Sequence, residues 1–463
     1  ALAAVAIGAA VRALPCPSVL SDQAWTLFAI FCSTVAGLVL EPLPVGAWAL
    51  ICTAALLASG AVTFDQAMSG CASESIWLVV VAFFFAKSFE KSGLGERIAN
   101  IFVSIFGKSS LGLSYGLAFA EGLVASALPS STARAGGIFL PVISLLARSN
   151  GSQPSSKRRK LGAFLVHVQC QTTSQTACLF MTGAAQNLLS MSIAMKMGVN
   201  IPDLWMEWFK GAIVPSLVGL LTIPALVYAL APPGMKESPE APTMARVRLQ
   251  QMGSLGRDER VTLVVLMFAV TMWVMGEQLG VSAVAAAMVA LSTLLMAGVL
   301  TWQDCLQYTS AWDTLIWFSI LMSMCSALAD AGVVGAFAAA AKTMMDSFNM
   351  HWTASFGVLH MLYFGTHYIF ASQVGHVGAL YGAFLAMMLA AGVPTTLAAL
   401  TLGYNANLFG TLTHYASGPA AVYYASGYQK MGEVLMLGAV LGLRSLLTWG
   451  VIGMAWWKFL GWW

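Results

Sequence analysis

Long apolar runs separated by short polar intervals occupy most of this 463-residue chain. A helix needs about 20 mostly apolar residues to cross the hydrocarbon of a bilayer, whereas a transmembrane β-strand would show alternation over about ten residues. The pattern therefore predicts an all-α polytopic membrane protein with about eleven to thirteen membrane segments, some of them half-membrane hairpins. The runs lie near 1–14, 24–41, 43–62, 76–89, 111–128, 161–181, 211–231, 261–279, 281–300, 313–332, 352–371, 377–393, 394–410 and 433–458.

The same order of landmarks occurs twice along the chain. A nearly constant offset predicts an internal duplication, which is typical of secondary transporters, whose substrates bind where helices are broken near the bilayer midplane. We expect an N-terminal repeat at 1–231, a Pro-rich polar connector at 232–260 and a C-terminal repeat at 261–463. The paired landmarks are Thr63 with Thr301, Gly93 with Gly332, Trp77 with Trp317 and Ser130 with Ser372, which lie 238, 239, 240 and 242 residues apart.

Each half contains one stretch in which serine and glycine interrupt an apolar run, ALPSSTARAGGIFLP at 127–141 and IFASQVGHVGALY at 369–381. Inside a membrane, irregular backbone is tolerated only where it is buried in protein or lines a watery cavity. A half-helix that begins at such a break directs free N–H groups and the positive end of its dipole into the cavity, and hydroxyl groups add donors. The two motifs therefore predict two facing anion sites, which suit a molecule with two carboxylates.

The fifth residue of each motif, counted from Ser130 or Ser372, can carry positive charge: these residues are Arg134 and His376. An arginine inside a membrane is costly and by default functional, and histidine can gain or lose a proton near neutral pH. The alternative for Arg134 is a side chain that extends to the membrane surface. Because the two residues lie at equivalent positions, we interpret them as charge-compensating residues of one site.

A second polar stretch follows in each half, at 169–187 and 405–424. Hydroxyl and amide groups at this density are costly in a membrane unless they pair across helices or line a cavity. We expect mainly a cavity lining, with pairing between helices as the alternative for part of the set. The candidate second-tier residues in these stretches are Thr182, Gly183, Thr413 and His414.

Other polar residues inside the apolar runs have two interpretations each. Glu121 is either a proton relay or a buried carboxylate that is paired with a neighbouring helix. His351, His360 and His367 either pack or pair with other side chains.

Composition agrees with a membrane protein, because 59% of the residues are hydrophobic and 9% are charged, against about 25% charged in soluble proteins. A net charge of +3 supports no nucleic-acid partner.

The basic clusters at 156–160 and 245–260 indicate the side from which the protein is inserted, with a ligand patch as the alternative. The eight cysteines form no C-x-x-C pair and are interpreted as packing residues. No metal, nucleotide or catalytic motif is recognisable, so we expect no cofactor and no enzyme; a membrane-embedded enzyme and a channel are the rival classes.

The stretches PSSTARAGGIFLP, HYIFASQVGHVGALYGAFLA and NLFGTLTHYASGPAAVYYASGY resemble the divalent anion:sodium symporter family, in its plastid dicarboxylate translocator branch. The resemblance runs along essentially the whole chain. It implies two inverted repeats, each with a re-entrant helical hairpin and a broken helix, in a homodimer with elevator-type scaffold and transport domains. It further implies exchange of 2-oxoglutarate for malate across the plastid inner envelope, with succinate, oxaloacetate and glutamate as further candidate substrates.

Site residues can be carried over from the family motif position by position. The resemblance implies that substrate is bound by the two hairpin tips and by residues of the two broken helices. Val374, at the last position of the second tip, has no hydroxyl and is expected to shape the pocket instead. The implied substrate-binding residues are Ser130, Ser131, Thr132, Asn187, Ser372, Gln373, Ser417 and Gly418.

Sodium coupling is in question because the motif departs from the Ser-Asn-Thr of the family. Ser131 and Gln373 stand where the family has Asn, and these motifs bind both Na⁺ and carboxylate in its sodium-coupled members. We hypothesise that the side chains of Arg134 and His376 replace the bound sodium ions. A fixed charge cannot leave with the substrate, so tight exchange would follow. A Na⁺-coupled dicarboxylate symporter and a glutamate/malate exchanger are the alternatives.

Overall fold

The computed structural model describes residues 1–40, 42–154, 160–348 and 350–463. These residues form helices joined by turns, with no strand among them and one isolated bridge between Ser109 and Glu237. Of the basic cluster predicted to mark the insertion side, positions 156–159 lie outside the described residues. The interpretation of that cluster stays a prediction.

Twelve of the described helices lie before the connector. They are α1 (Leu2–Ala13), α2 (Asp22–Leu40), α3 (Val45–Ala58), α4 (Phe64–Met68), α5 (Glu74–Ser92), α6 (Leu94–Phe106), α7 (Ser110–Ala125), α8 (Ser131–Arg134), α9 (Leu140–Ser149), α10 (Lys160–Leu179), α11 (Ala185–Lys196) and α12 (Leu204–Leu230). A π-helical turn, Ala135–Phe139, joins α8 to α9, and a 3₁₀ turn, Met181–Gly183, lies between α10 and α11.

Thirteen described helices follow. They are α13 (Glu240–Met252), α14 (Arg257–Leu279), α15 (Ala283–Met296), α16 (Trp302–Gln307), α17 (Thr309–Asp330), α18 (Val333–Phe348), α19 (Trp352–Gly365), α20 (Gln373–His376), α21 (Gly382–Ala390), α22 (Thr395–Leu408), α23 (Gly418–Ala425), α24 (Met431–Leu447) and α25 (Met454–Phe459). A π-helical turn, Val377–Tyr381, again joins the short helix α20 to α21, and a 3₁₀ turn, Phe409–Thr411, ends α22.

Paired landmarks of the sequence have the same local structure in both halves. Thr63 and Thr301 each cap a short helix, α4 or α16, through a reciprocal capping box. Gly93 and Gly332 have φ angles of 80° and 77°, a left-handed conformation that favours glycine. The internal repeat and its inverted topology nevertheless stay a prediction, because these features are local.

Four helical segments of the described chain are long and apolar enough to cross a membrane: Leu204–Leu230, Thr309–Asp330, Gln373–Ala390 and Met431–Phe459. A fifth is obtained if the pair Phe64–Ala72 and Ile76–Ser92, bent by 46°, forms one span. Four other predicted runs contain shorter apolar helices, Leu2–Ala13, Val45–Ala58, Ser110–Ala125 and Ala283–Met296. The number of membrane segments predicted from sequence stays a prediction.

The predicted connector is a structured part of the fold and contains α13, which packs against α6. Arg97 of α6 donates from Nε and Nη2 to the Glu259 carboxylate at 2.5 and 2.9 Å. Burial raises the pKa of Glu259, but hydrogen bonds from Arg97 and from the Gly256 N–H outweigh that effect and hold it below its ordinary value. The ion pair therefore attaches the connector to the N-terminal half.

Two helices form the buried centre of the molecule. Every residue from Leu161 to Leu179 of α10 and from Leu397 to Leu408 of α22 is buried. The two helices contact each other, and α22 also contacts α11. Their C-terminal ends lead into the two broken segments, so the centre of the fold holds those breaks in place.

Candidate functional site

The two Ser-centred motifs fold into the same local structure. Ser130 and Ser372 cap α8 and α20, and their hydroxyl oxygens accept from the N–H groups of Ala133 at 3.1 Å and Gly375 at 3.2 Å. Each four-residue helix then passes into a five-residue π-helical turn. The hydroxyls satisfy N–H groups that a helix start leaves without partners, which explains why each break begins with serine.

The second break lies between α22 and α23. Ser417 caps α23, donates to the Gly410 carbonyl at 2.6 Å and accepts from the Ala420 N–H at 3.3 Å. Gly418 has no room for a side chain, because the Thr132 hydroxyl of the first motif occupies that place. The tip of the first motif therefore meets the N-terminus of α23.

The second motif contacts the C-terminal end of α22, where the second break begins. The Gln373 amide nitrogen donates to the carbonyls of Ala406 at 2.9 Å and Asn407 at 3.3 Å. It also fills the space next to Gly410, where a β-carbon would collide with it. Gly410 accepts from Ser417, so both motifs reach one contiguous set of residues.

Asn187 links the two broken segments. Its amide nitrogen donates to the carbonyls of Ala177 and Phe180, at 2.9 and 3.1 Å. Its amide oxygen accepts from Asn407 at 2.7 Å, and Gln186 donates to the Asn407 oxygen at 2.8 Å. Gln186 and Asn407 were not among the predicted binding residues, although both lie in the predicted polar stretches.

Arg134 is fully buried and does not extend to a surface, so that alternative is wrong. Its Nε atom lies 3.3 Å from the Glu121 carboxylate. Its Nη1 atom donates to the carbonyls of Leu128 and Gly183, the latter at 2.8 Å. Nη2 has no hydrogen-bond partner within the described part of the chain. The guanidinium thus joins the first hairpin to the break that precedes α11.

Glu121 supplies the counter-charge, which the sequence left open. Its carboxylate also accepts from Gln169 at 2.6 Å and from the Thr173 hydroxyl at 2.9 and 3.0 Å. Glu121 and Arg134 are both wholly buried. A buried charge needs a partner and hydrogen bonds, and here each satisfies the other. The Arg134 charge is therefore already compensated in this structure.

His376 is held differently, through a second histidine that sequence reasoning did not assign to the site. Its Nδ1 lies 2.9 Å from Nδ1 of His367, whose Nε2 lies 2.7 Å from the Ala416 carbonyl oxygen. The Phe409 ring stacks on His376 at 4.5 Å and on His367 at 3.9 Å. The signal that was available is weak: His367 lies inside the predicted apolar run 352–371, nine residues before His376.

The two halves use equivalent carbonyl groups with different side chains. Gly183 and Ala416 each precede the residue that caps the next helix, Ala184 for α11 and Ser417 for α23. Arg134 contacts the first carbonyl directly, whereas His376 contacts the second through His367. The fifth residue of each motif therefore fastens its hairpin to the broken segment of the same half.

Several predicted residues show no contact of this kind. Thr182 donates to the Ser126 carbonyl at 2.8 Å, and His414 packs against the Tyr424 ring at 4.7 Å. The Thr413 hydroxyl is buried and has no partner among the described residues. Val374 packs against the apolar core, and Ser131 is half-buried at the first tip. The roles of these residues in binding stay predictions.

The described residues contain no group of three or more His, Cys, Asp or Glu side chains that would hold a metal ion. What they contain is a set of hydroxyl, amide and backbone donors at two helix starts, with one compensated cation and one imidazole pair. Broken helices that meet at the centre of a helical membrane fold are the arrangement of secondary transporters. The fold and the site are therefore those of a secondary transporter.

The family follows from the sequence comparison. The profile of the family described as "Sodium:sulfate symporter transmembrane region" matches residues 1–463, and the chain belongs to this family of membrane transporters rather than to a family of enzymes. The resemblance to the divalent anion:sodium symporters is confirmed.

Two relatives and one solved structure show the extent of the similarity. "Dicarboxylate transporter 2, chloroplastic" of Spinacia oleracea is 50% identical over 99% of this chain and 81% of its own length. "Dicarboxylate transporter 1, chloroplastic" of the same plant is 42% identical over 100% and 81%. The crystal structure of the Alcanivorax borkumensis YdaH transporter has a TM-score of 0.57 at 12% identity and covers 88% of this chain and 89% of that one. The all-α membrane fold is thereby confirmed.

Proposed function

We propose that this protein is a secondary transporter that exchanges dicarboxylates, 2-oxoglutarate for malate, across the inner envelope of a plastid. The names of its plant relatives, which are chloroplastic dicarboxylate transporters, support the substrate class and the membrane. We further propose that it works as a homodimer in which a transport domain carries the site across the bilayer against a scaffold domain. Two inverted repeats, 1–231 and 261–463, would form each subunit.

The observation that carries this proposal is the meeting of both hairpin tips at the second broken segment, which Asn407 and Asn187 link to the first. Thr132 lies against Gly418 at the start of α23, and Gln373 lies against Gly410. A helix start offers unpaired N–H groups and a positive dipole end to an anion. Two tips from opposite halves supply donors for two carboxylate groups, one at each end of the substrate.

Arg134 supports an exchanger over a sodium symporter. Its Nη1 atom contacts two carbonyl oxygens, those of Leu128 and Gly183, and in transporters unwound carbonyls of this kind coordinate Na⁺. The guanidinium therefore takes the place that a sodium ion would need in the first half. We propose that this fixed group, which stays with the protein, replaces a cation that would travel with the substrate.

The test is uptake of labelled malate into proteoliposomes. We expect uptake when the vesicles contain 2-oxoglutarate or malate, little uptake into empty vesicles, and no dependence on a Na⁺ gradient. Strong Na⁺-driven uptake into empty vesicles would favour the symporter instead. Internal glutamate is the second arm, because the family resemblance leaves a glutamate/malate exchanger as the second candidate.

A further inference from the structure

The imidazole pair His367 and His376 has hydrogen bonds that determine where its protons lie. Both side chains are wholly buried. A carbonyl oxygen only accepts hydrogen bonds, so the contact of His367 Nε2 with Ala416 at 2.7 Å requires a proton on that nitrogen. Neutral His367 then has a bare Nδ1. The 2.9 Å contact between the two Nδ1 atoms therefore places the other proton on Nδ1 of His376.

This arrangement leaves a single vacant position in the pair. Nε2 of His376 is bare, is buried and has no hydrogen-bond partner among the described residues. One added proton enters there, and the charge is shared with His367 through the Nδ1 contact. A second added proton would put hydrogens on both Nδ1 atoms at 2.9 Å. The pair therefore holds either no excess proton or one.

The surroundings of the pair are aromatic. Three aromatic rings lie 4.5 Å from the His376 ring. They belong to Tyr363 in α19, Phe370 in the turn after α19, and Phe409 in the turn after α22. Tyr363 is a further titratable residue whose ring contacts His376, and its hydroxyl has no hydrogen-bond partner among the described residues. Within the described chain, neither histidine forms an ion pair with an acidic side chain. Aromatic faces attract a cation.

The pair differs in this respect from the first half of the site. Arg134 contributes no net charge, because Glu121 lies 3.3 Å away. A dianion in a low-dielectric site needs positive charge or oriented dipoles. A proton on the imidazole pair is the charge that the two motifs can add without a neighbouring carboxylate.

We propose that the imidazole pair binds one proton together with the dicarboxylate, and that His367 is a positioning residue that holds His376 in the tautomer that receives it. This inference rests on the proposed function and adds a proton to its substrate step. The proton binds at Nε2 of His376 as the anion enters, and it is released when the anion leaves.

The experiment measures malate affinity of the detergent-purified protein from about pH 7 to pH 9, where malate itself is fully ionised. If one proton must bind with malate, the apparent malate affinity falls up to about tenfold for each unit by which the pH rises, by linkage between proton and substrate. We expect this slope for the native protein and a flat profile for His376→Asn. In weakly buffered solution, the protein should take up as much as one proton per site when malate is added, which an indicator dye reports.

Two substitutions separate positioning from packing. The His367→Gln side chain can donate to the Ala416 carbonyl and accept from His376 Nδ1, so we expect it to keep most of the slope. His367→Leu offers neither group and should lose the slope. His351→Asn, at an exposed helix start, is the control and should match the native protein.

A flat native profile with no proton uptake would overturn the proposal, as would a full slope in His367→Leu. If His367→Leu does not fold, the native slope and the His367→Gln variant decide. The proposed function fails by a different result: the native protein would then show no exchange of dicarboxylates at any pH.

Discussion

Replacing Arg134 by alanine should convert a sodium-independent exchanger into one that needs Na⁺. The substitution leaves the Glu121 carboxylate buried without a cation, next to the Leu128 and Gly183 carbonyls and the Thr173 hydroxyl. Oxygen atoms of these kinds are ligands for hard cations. Removing one partner of a buried ion pair costs about 3–5 kcal/mol, which is roughly a 10²- to 10⁴-fold effect on an equilibrium. Bound Na⁺ can restore part of it.

The assay is exchange of labelled malate in malate-loaded proteoliposomes, with Na⁺ replaced by choline at constant ionic strength. In choline we expect exchange by the Arg134→Ala variant to fall at least about tenfold. About 100 mM Na⁺ should restore it severalfold and raise the thermal stability of the variant. The native protein should respond to neither change.

The double variant Glu121→Gln, Arg134→Ala is the matched control, because it lacks the carboxylate and should not respond to Na⁺. The reasoning is refuted if Arg134→Ala is folded and its exchange is as fast as that of the native protein, or if Na⁺ restores neither its activity nor its stability. An equal response of single and double variants would also contradict it, because the carboxylate would then have no role.

Two further predictions concern packing and pH. Gly418→Ala places a methyl group where the Thr132 hydroxyl lies and should slow exchange severalfold, since overpacking costs about 1–3 kcal/mol. Gly432→Ala, at a position with open space, is the control and should not slow exchange. Equal exchange rates of the two variants in vesicles would contradict the packing argument. Hydrogen bonds from Lys91 and Thr301 lower the pKa of Asp304 to about 2, so this carboxylate stabilises the fold above its unfolded pKa of about 4, and the contribution is lost as pH falls towards 2. Asp304→Asn should be less stable than the native protein at pH 6 and lack this acid step in thermal unfolding; an unchanged acid step would contradict the assignment.

Local signals explain what the sequence could predict about the site. Ser130 and Ser372 begin short helices because a serine hydroxyl satisfies N–H groups within three residues. Such contacts depend on neighbours along the chain, so the pattern of residues is sufficient to find them. Gly418 was named as a site residue only through the family resemblance, and its position next to Thr132 was not predicted.

Contacts between distant elements explain what could not be predicted. Glu121 pairs with Arg134 across 13 positions, and the residue at the same distance before His376 is Tyr363, which has different chemistry. Comparison of the two halves therefore gave no indication that Glu121 is the partner of Arg134. For His367 the sequence left packing and pairing open but could not name the partner, because the pairing depends on a turn that brings His367 to Nδ1 of His376.

The ion pair also bears on how the chain enters the membrane during synthesis. A lone arginine at the centre of an inserting helix carries an apparent cost of about 2.5–3.5 kcal/mol, and Arg134 has its counter-charge on the helix made just before it, α7. Glu121 and Arg134 can meet before Gln169 and Thr173 of α10 have left the ribosome. The first hairpin and α7 are therefore expected to leave the translocon together as one neutral unit.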